Sequence, residues 1–236
     1  INVTAPNQEI CIGDNVLFTS TGGLQYNWQP SNSLNLNTGS TVSAGPTQYT
    51  TYMVTGIDLN SCSNWDTISV LVNPLPIIAT NTSTSTICEG ESVSIVASGG
   101  NSYLWSPSLG LNTSLAANVI ASPLANTNYF VTVTDLNGCS DITSSNVIIN
   151  PSPNLSLSPS LASICQGTSV QVEAFGASSY VWSPNLGLNT ITGNIVEASP
   201  NSSITYKVVG ADANSCKDSI NFQLTIGPKP TVLISP

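Results

Sequence analysis

The stretch Cys88-Glu89-Gly90-Glu91-Ser92-Val93-Ser94-Ile95-Val96-Ala97-Ser98-Gly99-Gly100-Asn101-Ser102-Tyr103-Leu104-Trp105-Ser106-Pro107 decides the fold. Val93, Ile95 and Ala97 fall on one side of a period of two, the pattern of a half-buried strand over 92–98. Gly99-Gly100 interrupts it. Tyr103-Leu104-Trp105 then begins another strand that stops at Pro107, a residue with no amide proton to give to a sheet. Further on, Asn118 to Pro123 reads as a strand and Tyr129-Phe130-Val131-Thr132-Val133-Thr134 alternates strongly. Asp135-Leu136-Asn137-Gly138 reverses the chain, and Val147-Ile148-Ile149 forms the last strand. About seven short strands separated by turns, with Trp105 on the third and Tyr129 opening the sixth, describe a β-sandwich of the immunoglobulin-like kind. No stretch reads as a helix.

This pattern is present three times, in register, without insertion or deletion. Cys11, Cys88 and Cys165 are spaced by 77 residues, as are Trp28, Trp105 and Trp182, Tyr52, Tyr129 and Tyr206, and Cys62, Cys139 and Cys216. Val16 and Phe18, and Val170 and Val172, repeat the alternation of Val93 and Ile95; Pro30 and Pro184 repeat Pro107. A long period held this strictly means copies of one small domain. The expected division is 1–74, 75–151 and 152–228, with 229–236 opening a further copy. Pro74-Leu75-Pro76, Pro151-Ser152-Pro153 and Pro228-Lys229-Pro230 separate the copies, and alternating prolines make short linkers semi-rigid. The predicted architecture is all-β: three tandem immunoglobulin-like β-sandwich domains in an extended rod. Each unit is small enough to need reinforcement beyond its core.

Composition narrows the functions. Charged residues are 6% of the chain, the net charge is −9, and Lys207, Lys217 and Lys229 are the only basic side chains. Phosphate backbones would be repelled, which excludes nucleic acid as a partner. The polar surface is instead Ser, Thr and Asn, as in exported proteins. No apolar run approaches the roughly 18 residues of a membrane-spanning helix, so this segment is not membrane-embedded, and no signal peptide is visible. The chain opens at Ile1, in register with Ile78 and Leu155, and reads as a segment of a longer exported protein.

Catalysis has little to draw on. There is no His, no recurrent carboxylate pair, no Gly-rich phosphate loop, and no base beside any of the many Ser and Thr hydroxyls. No cofactor is implied. The recurrent Trp and Tyr offer aromatic faces for sugars, yet their places match the central and corner packing residues of a sandwich, so they are assigned to the core. Asp58, Asp135 and Asp212 are the one acidic position present in every copy, each followed two residues later by Asn60, Asn137 or Asn214. They are the calcium candidates, but calcium needs six or more oxygens, and an Asp capping its own turn explains the pattern more economically.

Two Cys per copy in an exported chain imply disulfides rather than zinc, which would want clustered ligands. One arrangement closes each copy: Cys11 to Cys62, Cys88 to Cys139, Cys165 to Cys216. In an immunoglobulin-like topology, however, the turn entering the second strand and the turn between the last two lie at opposite poles, a strand of roughly 20 Å apart. A disulfide spans about 4.4 to 6.8 Å between Cα atoms. Head-to-tail stacking would instead bring Cys11 to Cys139 and Cys88 to Cys216, leaving Cys62 and Cys165 for neighbours outside the sequence. Strand order favours this ladder, and the closed set stays open as the alternative.

The motifs Cys88-Glu89-Gly90-Glu91-Ser92-Val93, Ala97-Ser98-Gly99-Gly100, Tyr103-Leu104-Trp105-Ser106-Pro107, Ala121-Ser122-Pro123, Thr134-Asp135-Leu136-Asn137-Gly138-Cys139 and Asn150-Pro151 resemble the tandem Ig-like or PKD-like repeats of Bacteroidota cell-surface proteins. Over essentially the whole chain they are most similar to the repeat regions of flavobacterial gliding-motility adhesins of the SprB type. The resemblance implies type 9 secretion, display on the outer membrane, and adhesion during gliding. It also implies O-glycans at Asp-Ser/Thr followed by an apolar residue, which Asp66-Thr67-Ile68 and Asp218-Ser219-Ile220 match, making Thr67 and Ser219 acceptor candidates. Three functions follow: a structural and adhesive filament segment, a passive spacer in a secreted multidomain enzyme, or a carbohydrate- or calcium-binding module. The expected partners are neighbouring repeats of the same chain and an external surface or glycan.

Overall fold

A computed structural model describes residues 1–229, and the described residues contain no helix. Each copy supplies seven strands. In the first these are β1 (Asn2–Thr4), β2 (Glu9–Cys11), β3 (Val16–Thr21), β4 (Gln25–Gln29), β5 (Thr41–Ala44), β6 (Thr50–Ile57) and β7 (Ser63–Asn73). The second has β8 (Ala79–Thr80), β9 (Thr84–Cys88), β10 (Val93–Ser98), β11 (Ser102–Ser106), β12 (Asn118–Ala121), β13 (Thr127–Thr134) and β14 (Ser140–Asn150). The third has β15 (Ser156–Ser158), β16 (Leu161–Cys165), β17 (Val170–Phe175), β18 (Ser179–Ser183), β19 (Ile195–Ala198), β20 (Ile204–Ala211) and β21 (Lys217–Gly227).

The same pair of sheets forms three times. A three-stranded sheet has the order β1-β3-β5, repeated as β8-β10-β12 and β15-β17-β19. A four-stranded sheet has the order β2-β7-β6-β4, repeated as β9-β14-β13-β11 and β16-β21-β20-β18. These are tandem immunoglobulin-like sandwiches. The tryptophan strand is the fourth of each copy, not the expected third. The first strand is broken: its opening piece pairs antiparallel in one sheet, as Leu157 does with Ala174, and its second piece crosses to the other sheet and runs parallel to the last strand, as Ile164 does beside Ile226. The last strand is also longer than its apolar centre suggested, beginning at Ser140 in the middle copy.

The chain forms two compact units. One comprises Ile1–Ser83, Ser94–Ile120 and Asn128–Ser145; the other comprises Thr84–Val93, Ala121–Thr127 and the chain from Asn146 onward. In the first, Phe18 lies between the aromatic residues that recur: its ring centroid is 5.6 Å from Trp28, stacked, and 5.1 Å from Tyr52, tilted. In the second, Tyr206 stacks on Phe222 at 6.4 Å. All five rings are at most 2% exposed, and removing that much apolar area from water is the main favourable contribution to a core this small.

Glycine at 99 and 176 is required twice over. Both have positive φ, 110° and 99°, and a Cβ on either would run into the carbonyl oxygen of Ile77 or Asn154 respectively. These glycines let the segments leading into the second and third copies lie across the ends of β10 and β17. The expected further copy at 229–236 falls outside the described residues from position 230 on.

Candidate functional site

Two turns recur in every copy and carry the cysteines. In the first, an Asp carboxylate organises the loop before the last strand. Asp58 Oδ1 accepts hydrogen bonds from the backbone N–H of Asn60 at 2.8 Å and of Cys62 at 2.9 Å. Asp135 Oδ1 does the same for Asn137 and Cys139, both at 2.9 Å, and Asp212 Oδ1 for Asn214 at 2.8 Å and Cys216 at 2.9 Å. The residue before each cysteine is in the left-handed region: Ser61 at 62°, Gly138 at 82°, Ser215 at 67°. The carboxylates proposed for calcium therefore each spend one oxygen on their own turn. Among the described residues there is no group of three or more His, Cys, Asp or Glu placed to hold a metal ion.

The second turn follows the broken first strand. The N–H of Asp14, Glu91 and Thr168 donates to the carbonyl of Cys11, Cys88 and Cys165 at 3.0, 3.0 and 3.1 Å. Gly13, Gly90 and Gly167 at its apex have φ of 96°, 82° and 82°. The N–H after each cysteine is bonded to the end of the last strand: Ile12 to Asn73, Glu89 to Asn150, Gln166 to Gly227. Three different sequences thus give one backbone shape at each pole.

Disulfides join the first kind of turn to the second across copies. Cys11 is bonded to Cys139 with 5.5 Å between Cα atoms, and Cys88 to Cys216 with 5.4 Å, each over a sequence separation of 128. The alternative set within each copy, Cys11–Cys62, Cys88–Cys139 and Cys165–Cys216, is not formed. The Cα separations of the bonded pairs fall within the range of about 4.4–6.8 Å that a disulfide needs. Cys62 and Cys165 are unpaired and exposed. Their bonded counterparts differ: Cys139 and Cys216 are 0% exposed. Asn137 lines a shallow groove with Glu9, Cys11, Asp14, Asn15 and Asn73, so the copy-to-copy joint is more than a sulfur bridge. Its recurrent Asn was visible in the sequence, but as a companion of the calcium candidate rather than as a contact residue.

The aromatic positions lie inside. The indole N–H of Trp28, Trp105 and Trp182 donates to the carbonyls of Gly39, Ala116 and Gly193 at 2.9, 2.9 and 3.0 Å. The phenol of Tyr129 donates to Leu109 at 2.9 Å, that of Tyr206 to Leu186 at 2.6 Å, and that of Tyr52 meets the Ser33 hydroxyl. Burial raises the pKa of Tyr206, and that of Tyr52 too, where the Ser33 bond offsets part of the effect. Trp65 is the tryptophan outside the period and is 61% exposed on β7. Thr67 and Ser219, the glycan acceptor candidates, are exposed on β7 and β21, each with its N–H held by the preceding Asp carboxylate at 2.8 and 2.7 Å. No helix among the described residues is long and apolar enough to cross a membrane.

No protein-family model matches the chain. No curated protein matches it. Similar solved structures include three tandem immunoglobulin domains of titin in a Glu-to-Ala variant, 11% identical, covering 95% of this chain and 98% of that one with a TM-score of 0.39. A calcium-stabilised adhesin with which an Antarctic bacterium binds ice is 13% identical, covering 96% of this chain and 74% of that one with a TM-score of 0.35. Immunoglobulin domains 1–5 of Sidekick-1 are 11% identical over 96% of this chain and 59% of that one, with a TM-score of 0.30.

Proposed function

We propose that this chain is a structural and adhesive segment of a large filamentous adhesin on a bacterial surface, serving attachment and gliding motility. The observation that carries the reading is the cross-copy disulfide, made twice with one separation of 128 residues. A bridge confined to one domain would only staple a small core. A bridge from each copy to the next instead suits a series of modules that transmits tension. Disulfides persist in oxidising compartments, which supports reading the segment as exported from the cytoplasm. Gliding, type 9 export and outer-membrane attachment rest on the sequence resemblance.

The copies are read as an extended row, supported by Pro74-Leu75-Pro76 and Pro151-Ser152-Pro153. Adhesion then comes from reach and from many weak contacts acting together. A compact globule of this length has a radius of gyration of roughly 18 Å, and small-angle scattering should give a value well above it. In the native host, deleting these copies from the parent protein should impair attachment and spreading. Unchanged attachment and gliding, with lost secretion or activity of a linked enzyme domain, would make the segment a spacer.

A further inference from the structure

We propose that the turn ending at Cys62 and the turn beginning at Cys165 are the two halves of a covalent head-to-tail joint between one copy of this chain and a second. The inference rests on reading the chain as a tandem array and goes beyond it, by assigning a partner and a bond to the two unpaired thiols.

The joint has been built twice within the chain. In both disulfides the cysteine of the Cys-x-Gly turn meets the cysteine that closes the Asp turn of the following copy. Cys62 belongs to a turn of the first kind, with the same two bonds to its Asp carboxylate and the same left-handed residue before it. Cys165 belongs to a turn of the second kind, with the same hydrogen bond from the residue three positions on. Neither backbone has to change to accept a partner. Exposure separates the used poles from the unused ones. Cys139 and Cys216 are 0% exposed and Cys11 and Cys88 are half-buried, whereas their unbonded counterparts Cys62 and Cys165 are exposed. Charge is complementary as well. The Lys229 ammonium lies 3.5 Å from where a Cβ on Gly167 would sit, and the opposing turn carries Asp58.

Bond formation requires an oxidant, here a small-molecule disulfide. The Cys165 thiolate attacks it, forming a mixed disulfide and expelling one thiolate. The Cys62 thiolate of the second copy then attacks the Cys165 sulfur and expels the other. Two protein thiols lose two protons and two electrons, and the reagent leaves as two thiols.

The test uses the whole chain with glutathione as the redox buffer, read by non-reducing electrophoresis and mass spectrometry of cross-linked peptides. C62S and C165S alter only exposed, unpaired positions, so the fold is retained. The unmodified chain should give a ladder of dimers, trimers and longer species joined through a Cys62–Cys165 peptide. Each variant alone should stay monomeric, and their mixture should stop at a dimer. Overturning results are C62S or C165S dimerising alone as readily as the mixture, a Cys62–Cys165 bond inside one chain, or persistent monomers. If scattering still shows an extended monomer in that last case, the joint fails and the tandem-array reading stands.

Discussion

At position 145 the middle copy departs from its neighbours. Ser145 is 0% exposed and its hydroxyl has no hydrogen-bond partner, while the corresponding residues of the outer copies are the buried Ile68 and Phe222. An unsatisfied buried hydroxyl costs about 1–3 kcal/mol. Ser145→Val should therefore stabilise the chain by about 1 kcal/mol or more, seen as a higher Tm by circular dichroism; an unchanged or lower Tm would contradict the packing described. The tyrosines give a pH signature. Burial holds the phenols of Tyr52 and Tyr206 above their ordinary value, so ionisation is easier in the unfolded chain. Their contribution to stability is fully present below about pH 10 and is lost as pH rises through the raised folded values. Denaturant midpoints measured along an alkaline series should fall across that window, and Tyr206→Phe should flatten the fall.

Elements were unequally visible before the structure. Strands β10 and β13 announce themselves because one face is buried and the other wet, so Val93, Ile95 and Ala97 or Tyr129, Val131 and Val133 alternate. The broken first strand does not. Ala79–Thr80 and Thr84–Cys88 are short edge pieces, and a strand that changes sheets has no continuous face to pattern. That is why the tryptophan strand proves to be the fourth. The Asp turns were legible because an Asx side chain must cap its own backbone at a fixed spacing. What they meet was not: Asn137 recurs as Asn60 and Asn214, but nothing in that period says that it lines a groove of the preceding copy. Asp135→Ala should remove two charge-assisted bonds and destabilise by about 1–3 kcal/mol. Asp135→Asn keeps an acceptor and should lose much less. Equal losses in urea titrations would show that the carboxylate charge, rather than the turn, is what counts.

On the scale of the whole molecule, the two disulfides enclose overlapping stretches, since Cys88 lies inside the loop closed by Cys11–Cys139 and Cys139 lies inside the loop closed by Cys88–Cys216. Between Cys11 and Cys216 there is consequently no place where cutting one covalent strand would part the chain. Pulled from its ends until every sandwich has melted, the oxidised chain has a contour shorter by 154 residues than the reduced one, because the shortest covalent path crosses from Cys11 to Cys139, returns along 51 residues to Cys88 and crosses to Cys216, a difference of about 510–550 Å at the length of an extended residue. Either bridge alone shortens it by only 128 residues. In a force-extension experiment, C11S or C88S alone should end about 90 Å longer than the unmodified chain, and only the double variant should stretch to the full contour. The second bond adds redundancy: a tether built this way survives the breakage of any one link between those cysteines and lengthens by no more than 26 residues when it does.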